Sequence, residues 1–542
     1  MTDDSSAATA DSDPGDTDPA DTDEPAEDAS EAPDAPRLSP GRRRLFALVA
    51  TLLMLGVGEL GARVVLLIRD RRKRRRFAAK APGETRLLVL GGSTAFGFPD
   101  PALGFAAGLE ARLGPKSGAG SVAVLNLAKP GKAADDVLEA LHESADAEPD
   151  LVLVYSGHNE FLKRRIKPSG AAILTSRELL DRLALVRLLR LMLRRERFDG
   201  PLTLPDKVLP VRPDDPLRAA KLEAYRERLT AIAALCRERR VPLVICTVSS
   251  NLRDWPPVWR GVGWSTPLGT PAYEELIRGR LAELDAAASG ERPGRAATLL
   301  STLKADLKTL PADPMLLWLR GRAQLITGDG PGARLDLLAA RRADPIPWRG
   351  LPAINQAIRE LARRHDHVHL IDLAAAIEAP DERPPGFELF LDNCHPNPTL
   401  HARMSDLIAD GIVAAGVLPA LQRTPAGPPS LDGKTRAALA RRSALYALKE
   451  PFLNARAARR HLAAARATGV EDWRIDALAG IVELFDGEGP ASTERAIGLL
   501  AEAAKARGAP LDPADNETTP YLLSALNKRG VDVSKLDWLK RD

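Results

Sequence analysis

Four short runs of this chain carry the side chains that serine-based acyl chemistry requires. They are Gly91-Gly92-Ser93-Thr94, the glycine at position 131, Ser156-Gly157-His158-Asn159, and Asp392-Asn393-Cys394-His395-Pro396. A serine hydroxyl is a weak nucleophile near neutral pH and needs a base within hydrogen-bond reach. An imidazole titrates close to that pH. An aspartate placed like Asp392 can fix the tautomer of His395 and balance the imidazolium that forms. A glycine N–H and an uncharged amide such as Asn159 can donate to the oxyanion that develops on an attacked carbonyl. The runs therefore supply a nucleophile, an Asp/His pair and oxyanion donors.

Strands and helices must bring these groups together. Ser93 follows Arg86-Leu87-Leu88-Val89-Leu90, an apolar run that reads as a buried strand. A serine on the glycine-rich turn after a strand is held clear of the sheet. Gly131 and Asn159 lie just beyond the apolar runs Val122–Leu127 and Leu151–Tyr155, and further strands are expected at Pro242–Val248 and Val368–Asp372. Helical spacing separates them: Lys132 to Asp146; a helix opening at Pro216 with Leu222, Tyr225, Leu229 and Ile232 on one face; Ile354, Ile358 and Leu361; and Leu400, Met404, Leu407 and Ile408. Strands alternating with helices predict an α/β fold: a three-layer, five-stranded parallel sheet with helices on both faces. In such a sheet the loops at the carboxyl ends of the strands share one crevice, where ligands bind.

These blocks resemble the SGNH family of hydrolases, a branch of the GDSL lipases and esterases named for a Ser, a Gly, an Asn and a His in separated blocks. The resemblance covers residues 82–163, 236–262 and 347–420. It implies a flavodoxin-like sheet, Ser93 as nucleophile, His395 as base and Asp392 as its orienter. It further implies an oxyanion hole made by the N–H groups of Ser93 and Gly131 and the side chain of Asn159. Two spellings depart from the family pattern. Its Gly-Asp-Ser is Gly91-Gly92-Ser93 here, and its Gly-x-Asn-Asp is Gly157-His158-Asn159-Glu160. Both spellings look like a membrane-anchored bacterial branch that carries tetratricopeptide-like inserts. No cofactor is implied. His158, which precedes the oxyanion Asn, and Arg253 and Trp255 beyond the fourth strand are candidates for substrate contact; for His158 a structural role is an equal alternative.

At 542 residues with 44% hydrophobic content the chain is long enough for several domains with sizeable cores. Its net charge of +3 is unevenly spread: Asp and Glu crowd the first 34 positions, and no basic residue precedes Arg37. A tail over 1–40 of that composition is expected to be disordered. No basic stripe is interleaved with aromatics, so nucleic acid is not an expected partner. Leu45–Ile68 is apolar apart from Glu59 and Arg63, which sit four apart and can pair. It is long enough for the roughly 20 residues a spanning helix needs, so 41–77 is read as an uncleaved membrane anchor with basic flanks. Arg42–Arg44 precede the span, and the larger cluster Arg69–Arg76 follows it. The positive-inside rule then puts the catalytic region in the cytoplasm, whereas the family resemblance puts it outside.

Residues 82–422 are read as the hydrolase domain, with helical inserts at about 164–215 and 263–345. In the second insert Leu317, Gly321, Ala333, Leu337, Ala340 and Pro345 fall near the spacing of a single tetratricopeptide repeat. Residues 423–431 form a proline-rich linker. Residues 432–542, rich in Ala, Leu and Arg, are expected to be a helical domain. Such helix-repeat arrays bind peptides or proteins, and plain packing on the catalytic domain is the equal alternative. Cys236, Cys246 and Cys394 make no disulfide framework. Asp392, Cys394, His395 and His401 match no standard zinc spacing, so no metal is expected. Together these features predict a serine esterase cleaving acyl esters through an acyl-enzyme. An O-acyltransferase or acetylesterase acting on a glycan, and a non-catalytic repeat scaffold, remain as alternatives. Because every candidate catalytic residue precedes His401, the C-terminal helices are expected to be accessory.

Overall fold

The computed structural model describes residues 40–540 except 75–76, 117, 119, 163–184, 186–210, 260–269, 290–293, 380–382, 428, 450–451, 453, 488, 514, 516–518 and 520–521. The expected acidic tail and most of the first insert lie outside the described residues.

The chain enters through helix α1 (Pro40–Arg74). Within it Leu45–Val65, 21 residues, is long and apolar enough to cross a membrane, as a signal sequence near an N-terminus also would be. Its large side chains are bare: Phe46 is 70% and Val57 71% exposed. Arg63 Nε donates to Glu59 Oε1 at 2.9 Å, the expected pair one turn apart.

The core is a five-stranded sheet, β1 (Glu84–Gly91), β3 (Ser121–Asn126), β4 (Leu151–Tyr155), β5 (Leu243–Cys246) and β6 (Val368–Ile371), in the order β3-β1-β4-β5-β6. All pairings are parallel. β1 lies between β3 and β4, and its Leu87, Leu88, Val89 and Leu90 are all fully buried because helices cover both faces. Those helices include α2 (Ser93–Phe96), α3 (Phe105–Arg112), α4 (Ala134–Glu143) and α5 (Pro216–Glu238). α5 starts where Asp215 accepts from Leu217 N and Pro216 takes the first turn, the arrangement that satisfies an orphan N–H and needs no proline donor. A short antiparallel pair, β2 (Leu113–Pro115) with β7 (Leu421–Arg423), straps the end of the domain to α3. With three residues in each strand it leaves no period-two pattern to read.

Two helical regions flank the sheet. The insert comprises α6 (Pro271–Ala288), α7 (Arg295–Thr309), α8 (Pro314–Thr327) and α9 (Gly330–Ala343). The chain then returns to the sheet through α10 (Pro352–Arg364), β6, α11 (Leu373–Ile377) and α12 (Pro398–Ala414). Beyond β7 come α13 (Gly433–Ala447), α14 (Ala455–Arg466), α15 (Trp473–Asp486), α16 (Gly489–Arg507) and α17 (Leu522–Lys528), which enclose an apolar core of their own. The two regions share one close helix crossing. A Cβ on Gly321 of α8 would meet Leu337 Cγ at 2.9 Å and Ala333 O at 3.0 Å. A Cβ on Gly480 of α15 would meet Leu500 Cγ at 2.8 Å and Ala496 O at 3.0 Å. The second crossing escapes a fixed-spacing search because Leu500 lies one helical turn further from its glycine than Leu337 does.

Candidate active site

Ser93 opens α2 directly after β1 and is half-buried. The turn depends on its glycines. A Cβ on Gly91 would lie 2.1 Å from Tyr155 O and 2.7 Å from Ala95 Cβ, so only glycine lets β1 turn against the end of β4. A Cβ on Gly92 would lie 2.5 Å from Asn159 Nδ2. The space of a side chain at 92 is thus filled by the Asn159 amide.

The oxyanion candidates converge on the same turn. Asn159 Nδ2 donates to Lys132 O at 2.9 Å, and an amide NH2 keeps a second N–H to donate elsewhere. Lys129 N donates to Gly91 O at 3.2 Å. Loop 129–132 is thus tied both to the end of β1 and to Asn159. Gly131 in that loop is exposed and has φ +71°, left-handed backbone that favours glycine. Glu160 braces the arrangement from behind, its carboxyl oxygens accepting from Ala134 N at 3.2 and 3.3 Å. Burial pushes Glu160 up to about 8.

The histidine block closes the site. His395 Nε2 lies 2.6 Å from Ser93 Oγ. Its Nδ1 lies 2.6 Å from Asp392 Oδ2. A carboxylate only accepts, so Nδ1 carries the proton and Nε2 is the acceptor for the serine O–H. Asp392 is fully buried, and its Oδ1 accepts from Cys394 N at 2.9 Å and His395 N at 2.8 Å. The block ends at Asn397, which caps α12 by accepting from Leu400 N, with Pro398 in the first turn. Thr94 Oγ1, 3.4 Å from Cys394 O, links the serine and histidine blocks.

The three candidates for substrate contact are engaged elsewhere. His158 is buried, its Nε2 3.1 Å from Ser249 O, and burial pushes it down to about 4, so it is neutral at pH 7. Arg253 is 7% exposed; it pairs with Asp254 and Glu388 and donates to Pro384 O. Trp255 is 2% exposed, set edge-on to Phe387 and Phe452. These contacts hold Arg253 and Trp255 in a loop packed under the C-terminal helices.

Asp392, Cys394 and His395 offer ligand atoms within 4.8 Å of one another, a metal-sized group among the described residues. Both Asp392 oxygens and the protonated Nδ1 are committed to hydrogen bonds within the block. Burial holds the Cys394 thiol protonated by pushing it well up. The donor set thus suits a hydrogen-bonded turn rather than a metal. His401, pushed down to about 3 by burial, accepts at Nδ1 from Phe105 N.

Two aromatic neighbours of His395 are not marked by any motif. The Phe98 ring lies 4.4 Å from the imidazole and the Tyr446 ring 5.2 Å away, at right angles. Phe98 could have been suspected from its place just after the serine block. Tyr446, on α13, could not: the only sign is a tyrosine in a helix of Ala, Arg and Leu, in a chain with 5 tyrosines.

No protein-family model and no curated protein matches the chain. Among solved structures it is similar to a GDSL-like lipase from Bacteroides thetaiotaomicron, at 9% identity and TM-score 0.29, over 64% of this chain and 97% of that one. It is also similar to a lipase/acylhydrolase from Enterococcus faecalis, at 15% identity and TM-score 0.26, over 63% of this chain and 100% of that one. At such scores the function has to be read from this chain's own residues.

Proposed function

We propose that the protein is a serine esterase of the SGNH type, held at a membrane by the apolar span Leu45–Ile68. One observation carries the reading: Ser93 Oγ, the His395 ring and the Asp392 carboxylate form a continuous relay with 2.6 Å at each step. In the reaction Ser93 Oγ attacks the carbonyl carbon of an acyl ester while His395 Nε2 takes the hydroxyl proton. The oxyanion is held by the N–H groups of Ser93 and Gly131 and the remaining N–H of Asn159. The imidazolium, balanced by Asp392, returns its proton to the departing alcohol, leaving an acyl-enzyme. Water, deprotonated by the same imidazole, then releases the acid.

Turnover of a short p-nitrophenyl ester by the full chain in detergent tests this. Ser93→Ala is expected to lower kcat at least about 1,000-fold with the melting temperature preserved, since loss of a nucleophile removes the covalent route. Equal turnover by wild type and Ser93→Ala would refute it.

A further inference from the structure

The C-terminal helices touch both halves of the candidate site. From α13, Tyr446 sets its ring 5.2 Å from the His395 imidazole and 5.6 Å from the Phe98 ring. One turn earlier, Arg442 Nη1 donates to Pro99 O at 3.0 Å. From α14, His461 Nε2 lies 2.5 Å from Leu391 O. A carbonyl only accepts, so Nε2 carries the proton. Leu391 is a pivot: its N–H donates to His395 O at 2.8 Å while its carbonyl accepts from His461. A single residue therefore links α14 to the turn that holds Asp392 and His395. Tyr446 is anchored in turn by Phe452, 5.4 Å away, which packs edge-on to Trp255 and Trp348 of the α/β domain.

We propose that the C-terminal helices complete the active site, with Tyr446 and His461 as positioning residues that hold the His395 imidazole against Ser93. The inference rests on the serine-esterase reading and goes beyond it, because it makes a region outside the α/β domain part of the catalytic apparatus. Asp392 fixes only the Nδ1 edge of the imidazole. The aromatic rings against the imidazole, among the described residues, are Phe98, just after the serine block, and Tyr446 from α13, so losing the Tyr446 ring opens space beside the base. The ring can then tilt away from Ser93, and a misplacement of about 1 Å can cost about 100-fold in rate. His461 acts one step further out, by fixing the peptide from which Asp392 and His395 follow.

The test uses the full chain in detergent and reads kcat, KM, the rate of phosphonylation by a fluorophosphonate, and a thermal melt. Tyr446→Leu fills much of the volume without a ring and is expected to lower kcat and the labelling rate about 10- to 100-fold, with KM little changed. Tyr446→Phe keeps the ring and is expected to restore both rates. His461→Ala lowers them less, and His461→Gln, which retains an N–H donor, recovers them. Arg459→Ala, on α14 but paired outward with Glu483 and Asp486, keeps wild-type rates. A cooperative melt with wild-type kcat for Tyr446→Leu overturns the inference. Where Tyr446→Leu does not fold, equal rates for His461→Ala and His461→Gln overturn it. Ser93→Ala runs alongside: if it labels like wild type, the esterase reading itself has failed, and the Tyr446 series is then not needed to show it.

Discussion

The insert and the C-terminal region are built around the same glycine-to-leucine helix crossing, yet they meet the sheet in different ways. The insert is fastened by charge. Arg341 Nη1 pairs with Glu378 at 3.0 Å, both nearly buried, and Glu378 also accepts from Ser249 Oγ at 3.0 Å. Arg322 pairs with Asp254 and donates to Arg253 O at 3.1 Å. Those contacts end on the loops after β5 and α11 and hold the scaffold. Near the site the C-terminal helices are fastened by aromatic rings, one histidine and the Arg442 bond to Pro99 O, and those contacts end on His395, its turn and the segment after Ser93. A shared helical module thus fixes little about role. The side chains at the attachment decide whether loosening it costs stability or rate.

The sharpest way to break that contrast is to cut the insert's buried ion pair. Arg341→Ala leaves Glu378 without its buried partner and is expected to cost about 3–5 kcal/mol of stability. The fraction that stays folded should keep kcat, measured after active-site titration. A fall in kcat matching that of Tyr446→Leu would abolish the distinction.

The shared crossing can be probed next. Gly321→Ala and Gly480→Ala each push a methyl into a leucine and a carbonyl. Each is expected to destabilise by about 1–3 kcal/mol, as overpacking does, with comparable shifts in urea midpoint. A neutral Gly480→Ala would show that the two crossings are not equivalent.

A smaller effect separates the attachments by pH. Burial lowers the pKa of His461 below its ordinary 6.5, while Asp392 nearby raises it and Arg460 lowers it. A histidine with a lowered folded pKa binds fewer protons folded than unfolded. Its contribution is therefore intact above the ordinary value and is lost as pH falls below about 6.5. Wild type should lose C-terminal hydrogen-exchange protection on acidification sooner than His461→Gln, while the insert, held by arginine–carboxylate pairs, changes little over that range. Identical profiles for wild type and His461→Gln would remove His461 from the account. The smallest effect belongs to Arg459→Ala, whose surface pairs with Glu483 and Asp486 are worth at most about 1 kcal/mol. A larger loss in the melt would give the outer face of α14 a role that these contacts do not supply.

The sheet and the relay were legible because their signals are local. Leu151–Tyr155 was bounded to the residue, and the other strands to within two residues at either end, since a buried parallel strand is a short apolar run ending in a turn. Ser93, Asn159, Asp392 and His395 sit on motifs whose spacing is itself the signal. The contacts of Arg253 and Trp255 were not legible, because a charged or aromatic residue beyond a strand reads as a binding residue, while an ion pair to Glu388 and packing on Phe452 come from parts of the chain far away. Tyr446 was missed for the same reason. Its importance depends on where α13 docks, and docking between helices and a sheet leaves no periodicity in either segment. The second glycine crossing was hidden by a single added turn.

The most direct test of the central claim is covalent labelling of the full chain by a fluorophosphonate, with the modified residue located by peptide mass spectrometry. The account predicts one modified residue, Ser93, with labelling abolished in Ser93→Ala and slowed strongly in His395→Ala. Modification elsewhere, or labelling of Ser93 that is indifferent to His395, would contradict it.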